Sequence, residues 1–270
     1  MMSTGNDIVA LAETDSDRTS RHRFYSRILS PGELSLFPDY GMPYPDHPGP
    51  PPRLSFPDFV WLMWSIKESV YKYVSRADRR LDFAPLKIPV TWLRFRDDFY
   101  EGMISYRQCA LYSRSFFIPG ETIMTVVNEK ADFGEVRWGM RIVGDSCRST
   151  GDPLYPDYSA QSAYVREFAL QSLSKEMSGA ALRIIKTPDG PPEVWDSERC
   201  LEIPISLAHH GPYVAWSYRL PGDGSHRLSA NSSSYRKSAA NRAASSHLRR
   251  VNLLEITGLN RSCSSCEYSS

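Results

Sequence analysis

The sequence predicts an α+β fold, and three features of its patterning point there. Apolar residues run almost all the way round one helix at residues 59–74, strand-like runs cluster between 81 and 144, and a second strand-rich block closes the regular part of the chain at 181–218. The chain has 270 residues, enough for one large core or a core with a sizeable insertion. Apolar residues make up 41% and charged residues 23%, which excludes fibrous and wholly disordered classes. Thirty-two Lys and Arg against 31 Asp and Glu leave a net charge of +1, so no global field draws nucleic acid or an acidic membrane, and any anion must be held locally.

Taken in order, residues 5–11 form a short apolar run after Gly5, read as a buried strand. Ser30-Pro31-Gly32-Glu33 places Ser at an N-cap, Pro at the first helical position and Glu at the third, the start signal of a short helix. Prolines at 38, 43, 45, 48, 50, 51, 52 and 57 forbid regular structure and predict an extended loop over 38–57. The helix at 59–74 carries Lys67, Glu68 and Lys72 among Trp61, Trp64, Ile66 and Val70, and charges in such surroundings need partners. Runs at 87–93 and 121–127 read as strands. Pro156 and Ser159 open a second helix that Gly179 stops. Strands at 181–186, 203–208 and 213–218 flank a turn at Pro188-Asp189-Gly190-Pro191. From about residue 221 the composition turns to Ser, Ala, Asn and basic residues, which predicts a disordered or weakly helical basic tail.

The first 13 residues hold no basic segment followed by an apolar run, and no membrane-length apolar stretch follows, so a cytoplasmic location is expected. Five irregularly spaced cysteines agree with a reducing compartment. Cys263-Ser-Ser-Cys266 has no second ligand pair and gives little support to a metal site.

Three segments set ionisable residues inside apolar runs: Gly5-Asn6-Asp7-Ile8, Trp64 to Lys72, and Ile205 to His210. Taken singly, each has a plain explanation: a turn or cap aspartate, an i,i+4 helix ion pair of Glu68 with Lys72, and structural histidines. Together and in this order they resemble the 4′-phosphopantetheinyl transferase superfamily, closest in pattern to its holo-acyl-carrier-protein synthase type. Gly5-Asn6-Asp7-Ile8 matches a Gly-x-Asp-[Ile/Val] motif. Trp64, Lys67, Glu68, Ser69 and Lys72 match Trp/Phe-x-x-Lys-Glu-[Ser/Ala]-x-x-Lys. Gly190-Pro191-Pro192 and Ser206-Leu207-Ala208-His209 match two later motifs. Val9, Met63, Pro191 and Ala208 depart from the pattern, Val9 standing where larger members carry a third acid.

The resemblance implies a core of antiparallel sheet packed on the long helix, built from residues 1–80 and 180–220, with a β-rich insertion at 81–179 and the tail at 221–270. It implies transfer of 4′-phosphopantetheine from coenzyme A to a serine of an apo acyl or peptidyl carrier protein, as in fatty acid or polyketide biosynthesis, with release of adenosine 3′,5′-bisphosphate. Mg2+ would sit on Asp7 and Glu68, since magnesium takes one or two carboxylates together with waters and substrate phosphates. Glu68 and Lys72 would carry the chemistry, Lys72 contacting phosphate or, with a lowered pKa, taking the serine proton. Lys67 at the rim, Ser206 and His209 would hold coenzyme A. With one set of motifs, the protein would either self-associate or complete the site with its insertion. A catalytically silent carrier-binding module of the same fold is the alternative.

Overall fold

The computed structural model describes residues 3–37, 54–96, 98–143, 158–177, 181–186 and 190–220. All lie within the unit formed by residues 1–221; the tail read as basic and flexible lies outside the described residues. The fold is α+β, with antiparallel sheets and two long helices.

The first strand, β1 (Gly5–Ala10), is buried along its whole length. Short helices α1 (Ser16–Thr19), α2 (His22–Tyr25) and α3 (Pro31–Leu34) follow, and α3 has the expected capping box of Ser30 and Glu33. The long helix α4 spans Phe56–Ser75, capped by Ser55, with Pro57 inside its first turn. The extended loop expected up to residue 57 therefore ends earlier. Pro57 lacks an N–H at a position where the helix needs none, so it starts the helix instead of preventing it.

A meander of β2 (Val90–Arg96), β3 (Phe99–Tyr106), β4 (Cys109–Ile118) and β5 (Thr122–Asn128) comes next. It completes a five-stranded sheet of order β1-β5-β4-β3-β2. After β6 (Val136–Ile142), helix α5 (Tyr158–Glu176) and the hairpin of β7 (Arg183–Lys186) and β8 (Pro192–Trp195), the chain ends its regular part in β9 (Ile205–His210) and β10 (Tyr213–Arg219). The second sheet has order β6-β10-β9. Helix α4 packs on β1, β5 and β4, and α5 packs on β10, β9 and β7.

The meander corrects the expected division of the chain. Residues 81–179 do not fold apart from the core, because β5 is the hydrogen-bonded neighbour of β1, pairing Asp7 with Thr125. An aspartate-bearing strand buried on both sides needs a full ladder partner, and the meander supplies it.

The sheet and helix meet most closely at Gly5. A Cβ there would stand 2.0 Å from the Ser69 carbonyl oxygen and 2.8 Å from the Tyr73 amide, both backbone atoms of α4. Only a residue without a side chain lets the two backbones come this close. Below the contact, Ile66, Val70 and Val60 of α4 pack with Val9, Ile123 and Val127 in the main core. Replacing Gly5 by Ala should force β1 off the helix and destabilise the protein by about 3 kcal/mol, the upper end for overpacking. Urea unfolding would measure this, and a loss below about 0.5 kcal/mol would show that the helix can shift to make room.

Candidate functional site

Strand alternation points Asp7 towards α4 while its neighbour Asn6 faces the second sheet. On α4, Glu68 and Lys72 are one turn apart on the same side, the side that β1 approaches. The three expected residues meet: Lys72 Nζ lies 3.0 Å from Asp7 Oδ1 and 3.3 Å from Glu68 Oε1. Asp7 is buried, whereas Glu68 and Lys72 are about a quarter exposed. Underneath, Ser65 donates to the Thr125 hydroxyl at 3.0 Å, and the Thr125 and Ser115 hydroxyls lie 2.9 Å apart.

Burial pushes the Asp7 carboxyl up to about 6; Lys72 opposes this shift and Glu68 adds to it. Burial also works against the Lys72 ammonium, but Asp7 and Glu68 outweigh it and hold its pKa above the ordinary lysine value. The expectation of a lowered Lys72 pKa is thereby corrected. An amine between two carboxylates stays protonated and has no lone pair to offer.

The other oxygen of Asp7, Oδ2, is buried and has no hydrogen-bond partner. An unpartnered buried carboxylate oxygen beside a second carboxylate is what a hard divalent cation would satisfy, and Asp7 and Glu68 fit a magnesium ion that completes its shell with water and substrate oxygens. No cluster of three or more ligating side chains occurs among the described residues.

Lys67 is not at the rim. It is completely buried, its Nζ donating to the Ile28 and Pro85 carbonyls at 2.7 and 3.1 Å and pairing with Glu33 Oε1 at 2.7 Å. Glu33 in turn accepts from the Val90 and Ser30 amides at 2.9 and 2.8 Å. At 100° per residue Lys67 points about 140° away from Lys72, into the packing of α3 and β2 against α4. It is a structural tie, corrected from its expected place on coenzyme A.

Ser206 and Lys72 line one cleft of about 300 Å3. One wall is the end of α4 and the turn beyond it, with Lys72 and Ser75 on the helix, Arg76 at its C-cap and Arg79 in the turn that follows; the other is Gly190–Pro192 and residues 205–207. Arg76 donates to the carbonyls of Pro192, at 3.3 Å, and Ile205, yet makes no ion pair among the described residues, and its Nε is buried without a partner. Arg79 lies 4.0 Å from Glu193. The arginines had no place in the motif reading; their i,i+3 spacing just after Lys72 was the available signal.

His209 sits outside that lining, edge-on to Tyr158 at 5.6 Å. Burial first, then Lys72, Lys186 and His210, hold its pKa below the ordinary histidine value, and its Nδ1 is buried and unpartnered. A larger groove of about 430 Å3 lies on β2 to β4, but there the buried Glu101 already engages Arg94 at 2.8 Å and Arg96 at 3.6 Å. The smaller cleft, next to the unpartnered Asp7 oxygen, is the candidate site.

The comparisons agree with the motif reading. Residues 3–105 match the family model described as the 4′-phosphopantetheinyl transferase superfamily. Curated proteins and solved structures gave no match. The matched stretch holds Asp7, Glu68 and Lys72; the cleft's second wall and His209 lie beyond it. No helix among the described residues is long and apolar enough to cross a membrane.

Two outcomes follow. Lys67→Met leaves Glu33 buried without its cation and should cost about 3–5 kcal/mol of stability in urea unfolding; a stability within 1 kcal/mol of wild type would return Lys67 to a surface role. For Asp7, the folded-state pKa is raised from 3.8 to about 6. The stability given by the protonated form is full below about pH 4 and is lost as pH rises through about 6. Asp7→Asn removes that loss, so its melting temperature relative to wild type should rise between pH 4 and pH 7. A constant difference would mean that Asp7 titrates alike in both states.

Proposed function

We propose that the chain moves the 4′-phosphopantetheine arm of coenzyme A to a serine of an apo carrier protein, a reading supported by the superfamily match of residues 3–105. The observation that carries this reading is the convergence of Asp7 and Glu68, with an unpartnered carboxylate oxygen, on Lys72, which lines a cleft together with Arg76 and Arg79. Magnesium held by Asp7 and Glu68 would neutralise charge on the pyrophosphate.

The chain's own groups do the rest. Lys72, held protonated, places a fixed positive charge beside the reacting phosphate. Arg76 and Arg79 extend that field along the same wall of the cleft, which suits a polyanion. The serine oxygen forms a bond to the phosphorus, the bond from phosphorus to the leaving nucleotide breaks, and adenosine 3′,5′-bisphosphate departs. In this reading the serine proton passes to water. The neutral imidazole of His209 donates to a phosphate at the margin.

Incubation with coenzyme A, Mg2+ and a panel of apo acyl and peptidyl carriers, read by intact mass, tests the reading. Carriers should gain the phosphopantetheine mass. Asp7→Ala and Glu68→Ala should each abolish the gain, and Lys72→Met should slow it at least about a hundredfold. Carrier binding without any mass gain would identify a silent binding module; wild-type turnover by the carboxylate variants would refute the site.

A further inference from the structure

Strand β1 is an edge of its sheet, and its alternate amides have no ladder partner. Leu11, just past its end, donates to Glu121 at 2.8 Å, so the odd-numbered amides face β5 and the even-numbered ones face away. Two of these free amides are captured by side chains of β9. Asn6 donates to Ser206 Oγ at 3.1 Å, and Ala10 donates to His210 Nδ1 at 3.1 Å. Ser206, Ala208 and His210 project from one face of β9 at period two, matching Asn6, Ile8 and Ala10 on β1. Ala208, in the middle, has no acceptor to offer. One more tie, between the Thr4 and Ser217 hydroxyls at 3.0 Å, continues the seam at its other end. Asp7 lies between the two captured amides, with its side chain on the α4 side.

We infer that His210 is a positioning residue: with Ser206 it clamps the free edge of β1 and so fixes Asp7 against Glu68 and Lys72. The adjacent histidines divide the work. His209 faces α5 through Tyr158, whereas His210 faces β1 and acts through the backbone. The Nδ1 acceptor requires the proton on Nε2, a tautomer set by the Ala10 amide. The part of the inference that concerns Asp7 rests on the proposed reading of a metal held there; the clamp itself does not.

Hydrogen exchange and metal titration of the full chain test the two parts separately. In His210→Ala the Ala10 amide should exchange about tenfold faster, the scale of one lost buried hydrogen bond. Mn2+ affinity, measured by calorimetry without coenzyme A, should fall several-fold, about as much as expected from misplacing one of two ligands. His210→Asn, whose side-chain carbonyl can occupy the Nδ1 position, should restore both, and it also serves if the alanine variant does not fold. Ser206→Ala should accelerate the Asn6 amide in the same way, while His209→Ala leaves Ala10 protected. Unchanged Ala10 exchange in His210→Ala overturns the clamp. Faster exchange with unchanged Mn2+ affinity overturns the positioning of Asp7. If wild type binds no Mn2+, the metal reading fails, and the clamp stands or falls on Ala10 exchange alone.

Discussion

The approach of the β1 backbone to the α4 backbone at Gly5 is the contact on which the rest of the molecule depends. Gly5 sets how closely the strand that carries Asp7 lies against the helix that carries Glu68 and Lys72, and there Lys72 Nζ and Asp7 Oδ1 stand 3.0 Å apart. Gly5 removes the obstacle on the strand, and the Ser65 and Ser69 side chains keep the facing surface of the helix small. The same closeness buries Asp7. This accounts for both its raised pKa and its unpartnered oxygen. Proximity and desolvation here have one cause.

Around that contact the buried charges sort into two kinds. Lys67 with Glu33, and Arg219 with Glu129 and Glu135, are satisfied by several partners and join elements distant in sequence. They specify packing. Asp7 and Arg76 are incompletely satisfied; Arg76 lines the cleft, and Asp7 touches Lys72, which also lines it. Native structures tolerate unpaired polar groups chiefly where a ligand completes them. The contrast explains why Lys67 and Lys72, five residues apart on one helix, serve different ends.

Much of this was legible in the sequence. The capping box at Ser30 and Glu33, the long helix and the last two strands follow from local rules, because each depends on residues a few positions apart. The meeting of Asp7 with Glu68 and Lys72 was legible through motif order. What local rules could not reach was long-range pairing. Nothing within 81–179 announces that β5 is the partner of β1, since any alternating run satisfies the strand pattern. Lys67 was misplaced for a related reason. Its partner, Glu33, had been assigned to capping alone, and a carboxylate that caps a short helix can also neutralise a lysine when both of its oxygens are buried. His210 went unremarked because its role is to accept from a backbone amide, a function no side-chain motif encodes.

The ladder from β1 to β5 and the seam from β1 to β9 also bear on how the chain comes into being. At roughly 5–20 residues per second of synthesis, β1 emerges on the order of ten seconds before the strand that pairs with it, and longer still before Ser206 and His210. Until then Asp7 sits on an unpaired apolar strand, a segment prone to premature association. Contacts separated by 200 residues carry a large loop-closure cost, so they form late. The strand made first is therefore completed last, and the corner where Asp7 meets Glu68 and Lys72 stays unfinished until almost every other element is in place.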